Sequence, residues 1–164
     1  MPALTARPTT RQELDTLVDQ GRLWAILDAA CDPKLAARAR ALGPARACCL
    51  WEAPRRDEDL AVAPFLVHLD AVALDWLVGE LRSMPWGVLA VASADLRALR
   101  RHFRRFLTVH DPDHRPVYFR FYDPRELRPF LDACDRKEIT EFFGPCQALG
   151  VPSEEPGSAL LLLA

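Results

Sequence analysis

The chain has 164 residues, half of them hydrophobic, and its 21 Lys+Arg against 23 Asp+Glu give a net charge of -2. This length and composition suit one domain over 1–164, and the near-neutral charge does not favour a nucleic-acid or anionic membrane partner. No apolar stretch has the length of a signal peptide or a membrane span, so we expect a cytoplasmic protein.

The first half of the chain alternates predicted helices and strands. Thr10-Arg-Gln-Glu13 is a capping box that starts a helix, and Gly21 ends that helix. Asp32-Pro33 starts a second helix, which Gly43 ends. Apolar runs predict strands at 23–27, 46–51 and 64–69, with the charged segment 52–60 as the loop between the last two.

The second half continues the alternation. Leucine and valine at helical spacing predict a helix over 74–81, and the next apolar run predicts a strand over 86–92. Ser93 is expected to cap the helix that follows, over 95–107. Apolar runs at 139–149 and 159–164 enclose a loop at 152–157, which predicts a terminal hairpin. In it Leu160-Leu-Leu-Leu163 forms an edge strand or fills the core.

The segment 117–128 is the most informative part of the sequence. Apolar and polar side chains alternate over 117–122, which predicts a core strand. Asp123 then supplies an N-cap and Pro124 a first helical position, while Pro129 implies a separate first turn or a bend. Candidate site residues therefore gather where a strand meets a helix, and they are Arg120, Tyr122, Asp123 and Arg125.

These elements predict an α/β fold. Strands separated by helices favour a mixed, mostly parallel sheet flanked by helices. The helix-free step between the strands at 46–51 and 64–69, together with the terminal hairpin, adds antiparallel neighbours.

Several short segments together resemble a known family. The most specific is Phe119-Arg-Phe-Tyr-Asp-Pro-Arg125. It is joined by Ala63-Pro-Phe-Leu-Val67, Trp86-Gly-Val-Leu-Ala-Val-Ala-Ser93, Arg101-His-Phe-Arg104 and Phe142-Phe-Gly144. From about residue 23 to about 147 the chain resembles the effector adaptors, or chaperones, of bacterial type VI secretion systems. That family was first catalogued as a domain of unknown function.

The resemblance implies a protein that is not an enzyme and needs no cofactor. Such adaptors bind a toxic effector and help to load it onto the trimeric VgrG spike protein. The implied partners are the effector's N-terminal segment and VgrG, with no nucleic acid and no membrane. Family members often carry more C-terminal sequence than this chain does.

Sequence motifs typical of enzymes are mostly missing. The sequence contains neither a G-x-x-x-x-G-K-[ST] nor a G-x-G-x-x-G phosphate-binding loop. The His110-Asp-Pro-Asp-His114 spacing occurs in some zinc sites, but without paired cysteines it is better interpreted as a polar turn. The five cysteines are expected to be reduced. A small hydrolase or transferase remains the main alternative, because strands are followed by Asp28, Asp70 and Asp123.

The helix over 95–107 carries a positive stripe. One face is apolar, and the opposite one is formed by Arg97, Arg100, Arg101, Arg104 and Arg105. This pattern is typical of a solvated face, of a surface for an acidic protein, or of a surface for nucleic-acid phosphates. A protein partner ranks above nucleic acid because the whole chain is slightly acidic. Arg101 and Arg104 are therefore added to the candidate protein-binding residues.

Overall fold

The computed structural model describes residues 4–53 and 56–164. Its strands are β1 (Thr5–Thr9), β2 (Leu23–Asp28), β3 (Ala47–Cys49), β4 (Pro64–His68), β5 (Gly87–Ala92), β6 (Thr108–His110), β7 (Pro116–Tyr118), β8 (Cys146–Pro152) and β9 (Ala159–Leu163). Its helices are α1 (Arg11–Asp19), α2 (Pro33–Ala41), α3 (Asp57–Leu60), α4 (Ala71–Asp75), α5 (Leu96–Arg104), α6 (Pro124–Ala133) and α7 (Arg136–Phe143), with a π-helical segment (Trp76–Glu80) directly after α4.

Seven of the strands form one sheet in the order β1-β9-β8-β5-β2-β4-β3, and β6 and β7 form a separate hairpin. Every neighbouring pair in the large sheet is antiparallel. The prediction of a mixed, mostly parallel sheet is therefore wrong. The terminal hairpin is present, since β8 and β9 pair around the loop at 153–158.

The helical connections explain the error. The connection containing α2 leads from β2 to β3, and these strands point the same way, but β4 lies between them. The connection containing α4 leads from β4 to β5 in the same manner, with β2 between them. Each crossover thus joins two parallel strands and leaves a space that an oppositely directed strand fills. A helix between strands predicts their common direction, but it does not make them neighbours.

Both faces of the sheet are covered by helices, as predicted. One apolar cluster packs α1, α2, α4 and the π-helical segment on the first face, and a second packs α5, α6 and α7 on the other. The alternation of β2 shows the division, because Ala25 and Leu27 face the first cluster while Trp24 and Ile26 face the second. Asp28 ends this strand and is itself buried.

The helices begin where the cap residues predict. Thr10 and Glu13 form the capping box of α1, and Asp32 and Asp123 cap helices whose first residue is proline. Ser93 does not cap α5, because the side chain of Asp95 accepts the Ala98 N–H at 2.8 Å instead. The α6 helix runs through Pro129 as one continuous element.

Three predicted strands have other positions. The strand at 117–122 is only the exposed β7, which ends at Tyr118 and belongs to the small hairpin rather than to the core sheet. The run 139–149 divides between α7 and β8. The run at 159–164 is not an edge strand, because β1 pairs with β9 along its whole length. Part of the predicted loop 52–60 is the short helix α3, and residues 54–55 lie outside the described part.

Two further observations concern the chain as a whole. No helix within 4–53 and 56–164 is long and apolar enough to span a membrane. All five cysteines carry free thiols, as expected.

Candidate functional site

The candidate residues near the Asp-Pro-Arg motif form one cluster at an edge of the sheet. This strand-end site consists of Asp28, Arg120, Tyr122, Asp123 and Arg125. At this edge β2 ends and β5 begins, and the Asp28 N–H donates to the Trp86 carbonyl at 2.7 Å. The chain reaches this edge through a turn in which the Asp123 N–H donates to the Arg120 carbonyl at 2.9 Å.

Asp28 and Arg120 form an ion pair at the base of the site, in which the carboxylate is buried and the arginine is partly exposed. The Asp28 carboxylate is 2% exposed; one oxygen accepts from the Arg120 guanidinium and the other from the Ala30 N–H at 3.2 Å. Burial alone would lower the pKa of Arg120, but the hydrogen bond and charge of Asp28 outweigh it, so the pKa is raised. Arg120 is therefore held in its charged form by a carboxylate that solvent barely reaches.

Asp123 and Arg125 form a second pair, closer to solvent. The Asp123 carboxylate accepts from the Arg125 backbone N–H at 2.9 Å, from its Nε at 3.0 Å and from its Nη2 at 2.7 Å. Burial would raise the pKa of Asp123, but the contacts from Arg125 and the charge of Arg120 lower it below its usual value. The hydrogen bond and charge of Asp123 raise the pKa of Arg125. The result is an exposed guanidinium whose position is fixed by a buried carboxylate.

A chain of hydrogen bonds leads from the site to the small hairpin. The Tyr122 hydroxyl shares a hydrogen bond with the Tyr118 hydroxyl at 3.0 Å, and Trp51 Nε1 donates to Tyr118 at 2.7 Å. Burial, and then the hydrogen bond with Tyr118, raise the pKa of Tyr122. Tyr122 therefore stays protonated and ties the Asp-Pro-Arg turn to β7.

Cys31 faces the same cluster of charges. Burial, followed by the negative charges of Asp28 and Asp32, raises the pKa of its thiol. A thiol with a raised pKa is a poor nucleophile at neutral pH. The site thus combines two buried carboxylates, each neutralised by an arginine, with a protonated thiol and a protonated tyrosine.

An open cleft of about 540 Å³ lies beside the strand-end site. Arg125 and Pro124 form one wall, and the segment before β5 and the end of β8 form the rest. The residues that line it include Met84, Pro85, Pro152 and Glu154. The lining of the cleft mixes apolar side chains with the polar or charged side chains of Arg82, Ser83, Arg125, Ser153 and Glu154. Protein-binding surfaces commonly combine apolar and polar groups in this way.

The remaining sequence candidates lie elsewhere. Asp70 caps α4 and forms an ion pair with Arg46 at 2.8 Å. It cannot join Asp28, because β2 and β4 are antiparallel and their carboxyl ends lie at opposite edges of the sheet. Arg101 and Arg104 line a groove on α5 that shares no residue with the cleft beside Arg125.

The two histidines of the 110–114 segment flank a polar turn, as predicted. This segment is the polar turn between β6 and β7, in which the Asp111 carboxylate accepts from the backbone N–H groups of Asp113 and Arg115, each at 2.9 Å. Within 4–53 and 56–164 no three metal-ligating side chains of His, Cys, Asp or Glu gather.

Sequence reasoning missed three members of this neighbourhood. It did not identify Asp28 as the partner of Arg120, Tyr118 as the partner of Tyr122, or Trp51 as the donor to Tyr118. The alternation of side chains along β2 offered one signal for Asp28. Asp28 lies two residues after Ile26 and therefore faces the side of the sheet on which α6 packs. The link to Trp51 had no local signal, since it joins residues far apart in the sequence.

A family model for a domain of unknown function, DUF4123, matches residues 23–141. No curated protein and no solved structure matches the chain. The matched segment runs from the first residue of β2 into α7 and contains the whole strand-end site and the residues of the groove on α5. The chain therefore belongs to the DUF4123 family of domains of unknown function.

Proposed function

We propose that this protein is a type VI secretion adaptor, which binds the N-terminal segment of a toxic effector in the cytoplasm and helps to load it onto the VgrG spike. The proposal is supported by the resemblance of residues 23–147 to such adaptors. It requires no catalysis, no cofactor, no nucleic acid and no membrane. In this proposal the strand-end site is the surface that recognises the effector.

The observation that carries the proposal is the state of Arg125. Its side chain is 70% exposed, yet it is held by a carboxylate that is 4% exposed. An arginine that is fixed before binding loses little conformational entropy when a partner docks, and arginine is enriched among the residues that dominate binding energy. The adjoining cleft, lined by both apolar and polar residues, offers space for the side chains of an extended peptide.

The charges at the site favour binding over acid/base catalysis. A general acid or base works best with a pKa near the working pH. The Asp123 pKa is instead lowered, and its carboxylate is occupied by Arg125. Asp28 is occupied by Arg120 in the same way. A hydrolase or transferase that used these carboxylates would have to displace both arginines first.

The test is effector capture in coexpression. The wild-type protein is coexpressed with candidate toxin and VgrG proteins from its own genome, and the captured toxin is measured after affinity purification. We expect Arg125→Ala to stay folded and to melt a little below the wild type. Its own side chain is exposed, and the buried Asp123 carboxylate loses the two guanidinium hydrogen bonds but keeps the one from the backbone N–H of residue 125. We expect it to capture at least about tenfold less toxin, as for loss of a binding hot spot.

The matched control is Arg128→Ala. Arg128 is an exposed arginine on the same helix, and it forms an ion pair with Asp132 at 3.4 Å but does not line the cleft. This variant should capture as much toxin as the wild type. If the wild type captures no toxin, or if Asp123→Asn abolishes a hydrolytic activity while the fold stays intact, the adaptor function is wrong. If Arg125→Ala captures toxin normally, the strand-end site is not the binding surface.

A further inference from the structure

A second surface concentrates positive charge on α5. The side chains of Arg97, Arg100, Arg101, Arg104 and Arg105, together with Glu52, line an open groove of about 450 Å³, which we call the arginine groove. From one helical turn to the next these arginines recur at intervals of three or four residues, so they share one face of the helix. Leu99 and Phe103 on the opposite face are fully buried and hold α5 against the sheet.

Contacts within the protein hold three of these arginines in place. Arg104 forms an ion pair with Glu52 at 2.9 Å, and Arg105 forms one with Glu141 at 3.0 Å. Arg100 Nε donates to the Cys49 carbonyl at 3.1 Å. Arg97 and Arg101 are exposed, and neither forms an ion pair with another residue of 4–53 or 56–164.

This arrangement is unfavourable for the isolated helix. Like charges three or four residues apart repel one another and destabilise a helix. The helix dipole offsets part of this cost, because Arg101 and Arg104 lie in the last turn. Arg97 lies in the first turn, where the dipole opposes a positive charge. A partner that brings negative charge into the groove would remove the repulsion.

We propose that the arginine groove binds an acidic peptide segment of a partner protein, through carboxylates that pair with Arg97, Arg101 and Arg100. Glu52 already shows the chemistry. Its side chain is 89% exposed, yet its carboxylate lies against the Arg104 guanidinium. The inference goes beyond the proposed function, because the strand-end site and this groove share no lining residue and require different partner chemistry.

Spacing sets the size of the segment. From Arg97 to Arg105 the helix rises by about 12 Å, at about 1.5 Å per residue. An extended peptide covers that distance in about four residues, and its side chains on one side recur about every 7 Å. The groove therefore fits two or three carboxylates at alternate positions of an extended acidic segment.

Nucleic acid fits the groove less well. Proteins that bind single strands stack bases on aromatic side chains, and none of the residues that line the groove is aromatic.

The test uses a short fluorescent peptide in which glutamate alternates with glycine, and fluorescence anisotropy is measured on the full chain at low and physiological salt. We expect saturable binding that weakens with salt, and no binding of the same peptide with glutamine in place of glutamate. The double variant Arg97→Glu with Arg101→Glu should bind at least about tenfold more weakly. The neutral pair Arg97→Gln with Arg101→Gln should weaken binding in the same direction and serves if the charge reversal fails to fold.

The matched control is Arg128→Glu with Arg136→Glu, which makes the same change in net charge at exposed positions outside the groove. It should bind the peptide within about twofold of the wild type. The inference is wrong if the wild type does not bind the peptide, or if groove and control variants weaken binding equally. It is also wrong if an oligothymidylate of equal charge binds more tightly than the peptide. None of these results depends on effector capture, so the groove and the adaptor function can fail separately.

Discussion

Arg120 and Arg125 both bind a buried aspartate, but their positions give them different roles. Arg120 neutralises Asp28 at the base of the site, and its removal would leave a buried carboxylate without its cation, which is expensive. Arg125 neutralises Asp123 from the solvent side, and its side chain is more exposed than that of Arg120, 70% against 43%. Of the two, Arg125 is therefore the arginine that is more accessible to a partner.

The sequence predicted these residues better than it predicted their contacts. The cap at Asp123 and proline at the first helical position follow from local chemistry, and both are present. The pairing of Arg120 with Asp28 depends on how a turn returns to a distant strand, and no local pattern encodes that distance. For the same reason, the sequence could not separate Asp28 from Asp70 as partners of the site.

Replacement of Asp123 tests its contribution as a cap and as an ion-pair partner. Asp123→Ala should lower the free energy of unfolding by about 1 kcal/mol, which corresponds to a melting temperature lower by about 2–4 °C. Asp123→Asn keeps an oxygen that can accept from the Arg125 N–H. At neutral pH its free energy of unfolding should therefore fall less than that of Asp123→Ala. Urea unfolding at several pH values measures both effects.

The contribution of the Asp123 charge to stability should change with pH in a defined direction. The folded-state pKa of Asp123 is lowered, so its charged form stabilises the protein above the unfolded-state pKa of about 4, and this contribution is lost as the pH falls through the folded-state pKa. The stability difference between the wild type and Asp123→Asn should therefore shrink as the pH is lowered below about 4. A difference that stays constant or grows in acid would show that the Asp123 charge does not stabilise the fold.

At the scale of elements, the alternation over 117–122 was a poor guide both to burial and to strand length. The aromatic residues after Tyr118 do alternate, but the Phe119 N–H donates to the Leu107 carbonyl at 2.9 Å and the chain then turns into the core. Phe121 and Tyr122 are both buried, although they are neighbours that a strand would place on opposite faces. A turn that buries two adjacent aromatic side chains can therefore have the same apolar sequence pattern as a strand.

The end of α7 offers a test of close packing between elements. Gly144 has φ +52°, and a Cβ there would lie 2.2 Å from Cε1 of His102. His102 is buried, and its Nε2 donates to the Phe142 carbonyl at 2.8 Å. Gly144→Ala must therefore strain the backbone and displace His102, and it should cost about 2 kcal/mol or more in unfolding free energy.

Gly43→Ala is the control, because Gly43 also has a positive φ, +79°, but nothing lies within 4 Å of its added Cβ. It carries the backbone strain without the collision. Denaturant unfolding of the two variants separates the cost of the backbone strain from the cost of displacing His102. Equal losses would mean that His102 moves aside without cost.

At the scale of the molecule, the sequence predicted helices on both faces but not the order of the strands. The apolar content of β2, β4 and β5 indicates central strands, and they are central. Their antiparallel arrangement depends on two crossovers that each skip one strand, and this cannot be inferred from residues near each other in the chain. The strand β1 was missed because four of its five residues are exposed and Pro8 lies within it. Both features suit an edge strand.

Removal of β1 tests its protective role. A truncation of residues 1–9 would expose the backbone of β9, whose sequence Ala-Leu-Leu-Leu-Leu is strongly apolar. We expect sedimentation velocity to show larger species that grow with concentration, because an uncovered apolar edge pairs with other chains. Leu163→Lys in the truncated chain should reduce this association. The idea fails if the truncated chain sediments as the full chain does at every concentration.

The pairing of Thr5 with Leu163 also sets a time at which the protein can finish folding in the cell. A ribosome produces roughly 5–20 residues per second, so β1 emerges seconds before its partner β9 has been made. During that interval β1 lacks this partner, and contacts between distant parts of a chain form slowly in any case. The nascent chain therefore cannot pair β1, or cover the outer edge of β8, until residues 159–163 have left the exit tunnel.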